Sequence, residues 1–178
     1  MSILIKYLFA FCLITSVYSQ SIAQKNSPLI AEIKTYVQYI DSINNIDYTQ
    51  DIGYMKSIAD GVIKNNDKII GGIGIYSLLN IKGDTAYRIE YHDNVNINIY
   101  KIYYYKSDEL IYAVTELKDY KLNRQTIFRK EEFYNKGIII YTTTKQVKNA
   151  KKYSYKTNFS MYEDGMEYLN KFNNKNRF

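Results

Sequence analysis

Apolar residues recur in three different rhythms along the chain, and each rhythm predicts a different element. From Tyr7 to Val17 they run almost unbroken (YLFAFCLITSV), 11 residues preceded by Lys6. Small residues follow at cleavage-compatible positions, Val17-Tyr18-Ser19 before Gln20 and Ser21-Ile22-Ala23 before Gln24. A positive start, a short apolar core and a small-residue cleavage site define a secretory leader. A spanning helix needs roughly 20 apolar residues, so residues 1–23 are expected to be a signal peptide and 24–178 the exported domain. Cys12 lies inside the apolar run behind Phe11, not after a small residue at its end, and reads as part of the leader.

After the leader the rhythm becomes helical. Ser27-Pro28 reads as an N-cap with proline at the first helical position. Leu29, Ile30, Ile33, Val37, Ile40 and Ile43 follow at three- and four-residue spacing. That predicts an amphipathic helix over 28–45, ended by Asn44-Asn45. Ile52, Met55, Ile58, Ala59 and Val62 continue a weaker helical spacing broken at Gly61, so the helical region is expected to span 28–63.

From Lys68 the rhythm is that of strands, rich in Ile, Tyr, Val, Thr and Phe and separated by turn clusters. The expected strands are 69–81, 85–92, 97–106, 109–117, 126–135 and 137–145, with a further one near 152–159. The short connections Lys82-Gly83-Asp84, Asp93-Asn94, Ser107-Asp108 and Asn135-Lys136-Gly137 imply antiparallel pairing between sequence neighbours. Residues 160–172, centred on MYEDGMEYLNKF, read as a closing helix that Gly165 weakens by about 1 kcal/mol relative to Ala. The expected fold is α+β: one antiparallel meander of five to six strands over 68–158, the N-terminal helix against one face, and a short C-terminal helix on an edge or the same face.

Segment 101–114 (KIYYYKSDELIYAV) aligns without gaps on 130–143 (KEEFYNKGIIIYTT), matching Lys101 to Lys130, Tyr105 to Tyr134, Ile111 to Ile140 and Tyr112 to Tyr141. Tyr87, Tyr112 and Tyr141 each lie four residues after Gly83, Asp108 and Gly137. With the leader, these tyrosine-rich hairpins resemble those of small exported proteins of Gram-negative bacteria. The resemblance rests on these segments, implies export and hairpins, and transfers no site residue.

Composition narrows the chemistry further. The 178 residues hold 21 Tyr, 7 Phe and no Trp, with one Cys and one His. A disulfide scaffold, a cysteine-rich metal site and a multi-histidine metal site are thereby excluded, and no cofactor is implied. The net charge of +6 is uneven: residues 24–144 carry 15 basic and 15 acidic side chains, residues 145–178 carry 8 and 3. Lys148, Lys151, Lys152 and Lys156 are the candidate basic surface, either for an anionic partner or simply for solubility. Nucleic acid is a poor partner for an exported protein.

Catalytic signatures are sparse. His92 has no sequence partner of recognisable type, and no serine sits in a G-x-S-x-G elbow. Gly71-Gly72-Ile73-Gly74 is followed by a strand pattern, which favours a bulge or bend over a phosphate loop. Asp93-Asn94-Val95-Asn96-Ile97-Asn98 lacks the carboxylates and turn glycine of a calcium loop. A carboxylate-based envelope hydrolase would need two of Glu90, Asp93, Glu116, Glu131 and Glu132 in one cleft. The candidate ligand-binding residues are the tyrosines Tyr100, Tyr103, Tyr104, Tyr105, Tyr112, Tyr134 and Tyr141, each a flat apolar body with a polar tip. The expected function is a non-enzymatic binding module of the periplasm or cell surface, for a small apolar or glycan ligand. The alternative is an assembly protein that pairs with an envelope protein through a sheet edge.

Overall fold

The computed structural model describes residues 26–47, 49–95, 97–119, 125–147 and 156–174. The leader, Lys148, Lys151 and Lys152, and most of the expected 152–159 strand lie outside these residues. Residues 26–44 form helix α1. It already includes Asn26 and Ser27, ahead of the expected start. A short 3-10 turn, Thr49–Ile52, leads into the sheet. Seven antiparallel strands follow in sequence order: β1 Tyr54–Asn65, β2 Lys68–Asn80, β3 Ala86–Asp93, β4 Asn98–Lys106, β5 Glu109–Asp119, β6 Gln125–Asn135 and β7 Ile138–Gln146. Helix α2, Met161–Asn173, closes the described chain.

The α+β class and the antiparallel meander stand, with two corrections. The segment expected to be a second helical stretch is strand β1, which makes seven strands among the described residues instead of five to six. Its apolar residues keep helical spacing, but Ile58 and Val62 are 65% and 56% exposed, so no buried stripe supports a helix. Twelve residues of β1 pair instead with β2, from Tyr54↔Asn80 to Asn65↔Lys68. Context overrides a weak helical pattern rich in β-branched residues. The second correction is that α2 lies on the opposite face from α1.

Strand alternation explains the three layers. Ile75, Leu79, Ile89, Tyr103, Tyr105, Ala113 and Tyr134 point to α2, where Met161 and Leu169 complete one core. Leu78, Tyr104, Tyr112, Val114 and Phe133 point to α1, against Ile33, Ile40 and Ile43. Tyr103, Tyr104 and Tyr105 therefore serve both cores from one strand.

The internal repeat corresponds to a hairpin geometry used three times. The β1–β2, β4–β5 and β6–β7 turns are Asn66-Asp67, Ser107-Asp108 and Lys136-Gly137, all with positive φ of 48–77°. Two-residue turns of this kind match the right-handed twist of strands. In each, pairing skips the third residue of the returning strand, an isoleucine every time: Ile70, Ile111 and Ile140. A bulge re-aims side chains, and here it sends Ile111 and Ile140 into the α1 core along with Tyr112. Ile70, at the equivalent place in β1–β2, has no helix over it and is exposed.

Helix α2 begins at Ser160, whose hydroxyl accepts from the Glu163 backbone N–H at 3.2 Å. Its unfavourable Gly165 has a packing reason. A Cβ there would come within 2.7 Å of Tyr103 and 2.8 Å of Leu110, both fully buried. Gly165→Ala sets a helix-propensity gain of about 1 kcal/mol against overpacking of about 1–3 kcal/mol. Because neither neighbour can move into solvent, the expected outcome is net destabilisation, read as a lower denaturant midpoint with an unchanged slope. A more stable variant would show that the helix can lift off the sheet freely.

Candidate functional site

Helix α1 crosses only one half of its sheet face. It runs from β7, where Asn26 Nδ2 donates to the Ile140 carbonyl, to β1, where the hydroxyls of Tyr39 and Tyr54 meet at 3.2 Å. Three cross-strand tiers can be followed beneath and beyond it. The first, Leu78–Arg88–Tyr104–Tyr112–Phe133–Tyr141, lies under the helix. Its rings form a continuous ladder, with centroids 5.5 Å apart for Tyr104–Tyr112, 4.6 Å for Tyr112–Phe133 and 5.5 Å for Phe133–Tyr141. The second tier is Tyr76–Glu90–Ile102–Val114–Glu131–Thr143, and the third is Gly74–His92–Tyr100–Glu116–Arg129–Lys145. The second tier is apolar at its middle, where Ile102 and Val114 join the α1 core; Tyr76, Glu90 and Glu131 of that tier and His92, Tyr100, Glu116 and Arg129 of the third form a polar, aromatic surface beyond it.

Two charged networks hold that surface. In the first, the Arg88 guanidinium bridges two elements. Its Nε lies 3.3 Å from Asp41 Oδ1 of α1 and donates to the Tyr104 hydroxyl at 3.4 Å, and its Nη2 contacts Glu90. Tyr104 Oη in turn donates to Asp41 at 2.7 Å. The other oxygen of Glu90 meets His92 Nε2. Burial pushes the Glu90 carboxyl up, but the His92 hydrogen bond and the Arg88 charge outweigh it and hold the group below the usual carboxylate range. Burial alone would likewise ease a proton off Arg88, and the Glu90 and Tyr104 contacts more than compensate. The His92 ring is clasped between Tyr76 (centroids 5.1 Å apart) and Tyr100 (4.4 Å, edge-on).

The second network lies across β5 and β6. Arg129 Nε donates to Glu131 Oε1 at 2.7 Å, and Nη1 sits 3.9 Å from Glu116. Lys118 Nζ is 3.4 Å from Glu116 and 4.6 Å above the Tyr100 ring. Tyr112, beneath, is shifted upward, first by burial and then by the Glu131 charge. A cavity of about 230 Å³ opens beside the first network, bordered by Asn44, Lys56, Tyr76, Arg88, Glu90 and His92. A larger one of about 460 Å³ lies at the β1 side of the α2 face, among Met55, Ala59, Leu79 and Phe172 with Ser57, Ser77 and Lys82. Size favours the second cavity; convergent polar and aromatic groups favour the first.

The tyrosines singled out from the sequence divide by depth. Tyr103, Tyr104, Tyr105, Tyr112 and Tyr134 are buried. Their hydroxyls act as fasteners: Tyr105 Oη donates to the Gly165 carbonyl at 2.7 Å, Tyr103 to Asp164, and Tyr134 to Glu132. Tyr100 is half-buried on the third tier, and Tyr141 is 40% exposed at the β7 end of the first. Lys156 Nζ lies 4.0 Å from Asp93 Oδ1. Of the five carboxylates weighed for hydrolysis, Glu90, Glu116 and Glu131 share the α1 face, while Asp93 and Glu132 take the other by alternation. Only Glu90 borders the smaller cavity, and each of the three is held in an ion pair. Ser57 and Ser77, which edge that cavity, pair across strands and take the α2 face by alternation, opposite to His92.

Tyr76 and Arg88 were not among the sequence candidates. The signal that could have found them is alternation counted back from the turns, since Arg88, Glu90 and His92 fall at every second position of β3. The turn residues Asp93 and Asn94 have structural work: Asp93 Oδ1 accepts from Val95 N–H at 3.3 Å, and Asn94 Oδ1 from Gly72 N–H at 2.5 Å. Among the described residues no group of three or more His, Cys, Asp or Glu side chains is arranged to hold a metal ion. Nor is any described helix long and apolar enough to cross a membrane. Comparison with protein-family models, with curated proteins and with solved structures finds no match.

Proposed function

We propose that this is an exported, non-enzymatic binding protein that holds a neutral glycan on the Tyr76–His92–Tyr100 surface beyond the end of α1. The observation that carries the reading is the pairing of partly exposed aromatic rings with ion pairs already fixed on a rigid sheet. Flat rings offer apolar faces to the C–H side of a sugar. Arg88–Glu90 and Arg129–Glu131 offer donors and acceptors to its hydroxyls without first having to be ordered. Arg88, Lys118 and Arg129 are matched one for one by Glu90, Glu116 and Glu131, so the surface attracts neither anions nor cations strongly. The same neutralisation argues against free carboxylates working as acid and base. Export rests on the leader-like residues 1–23.

Native mass spectrometry of the protein taken gently from its own host's envelope tests both parts. The expected spectrum shows the chain shortened by its leader and carrying a glycan-sized addition. Tyr100→Ala should weaken glycan binding about tenfold, equivalent to about 1.4 kcal/mol, in a variant that circular dichroism shows to be folded. A full-length chain would remove the export reading. A bare mass together with no glycan binding would remove the ligand reading, and a lipid-sized addition would move it to the apolar cavity near Phe172.

A further inference from the structure

The meander has two ends, and its first strand is an unusual one to leave unpaired. Among the described residues β1 pairs only with β2. It is 12 residues long and contains no proline, and its pairing with β2 runs unbroken as far as Ile63. The β1–β2 hairpin also projects past its neighbour: β3 pairs with β2 only from Ile73 to Leu79, whereas β1 and β2 stay paired out to Asn65↔Lys68. Ile58, Val62 and Ile69 are exposed on it, as is the bulge residue Ile70, whose equivalents Ile111 and Ile140 are covered by α1. Long, flat, apolar edges of this kind template pairing with another chain unless charges or bulges defend them.

The charges on β1 are arranged for pairing with a copy of itself. Tyr54, Lys56, Ile58, Asp60 and Val62 share one face by alternation. In an antiparallel pairing of two β1 strands about Ile58, Lys56 of each stands directly opposite Asp60 of the other. Ile58 meets its own copy on the two-fold axis, and Tyr54 meets Val62. The alternative centre at Val62 also pairs Asp60 with Lys64, but it keeps fewer residues within the strand. Strand β7 offers no such match: its only charged residue is Lys145. Lys56 Nζ donates to the Ile46 carbonyl at 2.7 Å, which leaves two of its three protons for a carboxylate.

We propose that two copies of this chain associate edge to edge through antiparallel β1 strands centred on Ile58, joining their sheets into one continuous fourteen-stranded sheet. The interface is isologous, as two-fold symmetry requires; it adjoins the glycan surface, since Ile58 pairs with Tyr76 and both line the smaller cavity, but it rests on the β1 charges and is read by oligomeric state, not by glycan binding. The β1 edge being shared, each copy's exposed Ile58 and Val62 gain apolar cross-strand partners.

Sedimentation equilibrium of the mature protein across a concentration series tests this. The wild-type chain is expected to be a dimer. Asp60→Lys sets lysine against lysine at both symmetric pairs and is expected to weaken association at least tenfold. The double variant Lys56→Asp with Asp60→Lys restores opposite charges across the axis and is expected to recover the dimer. Both positions are exposed, and circular dichroism will verify that each variant is folded. A wild-type monomer at every concentration overturns the proposal. So does a dimer indifferent to Asp60→Lys, which would lie elsewhere, or a double variant that stays monomeric.

Discussion

Raising the pH above 10 is expected to unfold this protein cooperatively, within about one to three pH units. An unfolded tyrosine ionises near pH 10. In the folded chain Tyr103, Tyr104, Tyr105 and Tyr134 are buried, and all ionise higher. Burial is the largest cause for each. For Tyr103 and Tyr134 a nearby carboxylate, Asp164 or Glu132, adds to it. The folded state therefore holds protons that the unfolded state releases. Below pH 10 both states are neutral and the contribution is fully present; above it, stability falls as pH rises towards the folded values. Each such group contributes a slope of about 1.4 kcal/mol per pH unit, so four contribute about 5 kcal/mol per unit. A domain of this size is stable by about 5–15 kcal/mol, which sets the width of the transition. Far-ultraviolet circular dichroism and tyrosinate absorbance should then change together. Titration of every tyrosine near pH 10 with the fold intact would contradict the assignment of these four side chains to the core.

The second large effect concerns Asp164 in the first turn of α2. It accepts from the Tyr103 hydroxyl and from Lys101 Nζ at 2.9 Å, and the Lys101 ammonium also sits 4.2 Å over the Phe159 ring. The Lys101 and Asp164 side chains are 15% and 23% exposed. Asp164→Ala leaves a largely buried cation and a buried hydroxyl without their acceptor, at a cost of about 2–4 kcal/mol. Lys106–Glu32 has the same 2.9 Å separation, but its side chains are 49% and 63% exposed. Glu32→Ala is expected to cost less than about 1 kcal/mol. Chemical denaturation of the two variants side by side measures the difference. Equal losses would mean that α2 is held by its apolar face alone and that the tyrosine hydroxyls are incidental.

Much of the sheet was legible in the sequence because its hairpins carry strong local signals. Strands β2 to β7 were expected close to their observed limits, since two-residue turns such as Ser107-Asp108 leave little freedom of connection. β1 was hidden because Met55, Ile58, Ala59 and Val62 happen to repeat at helical spacing, and only their exposure separates a strand from a helix. The face chosen by α2 was hidden for a different reason. Tyr103 and Tyr105 look alike from either side until the small Gly165 is set against them.

The site was legible only in pieces. Tyr100 stands out by its ring, and Glu90, Glu116 and Glu131 by their carboxylates, but their shared face depends on register across four strands. That register is displaced by bulges at Ile111 and Ile127, which alternation alone does not reveal. The apolar doublets after the turns, Leu110-Ile111 and Ile139-Ile140, are the sequence trace of such bulges. Buried and exposed tyrosines look the same in the sequence, and depth, not residue type, separates fasteners from surface.

The most direct test of the binding surface is a titration of the isotope-labelled protein with neutral oligosaccharides, followed by nuclear magnetic resonance. Shift changes are expected to centre on Tyr76, His92, Tyr100 and Glu116 and to disappear in Tyr100→Ala. No change with any glycan, or changes confined to Met55, Leu79 and Phe172, would contradict it.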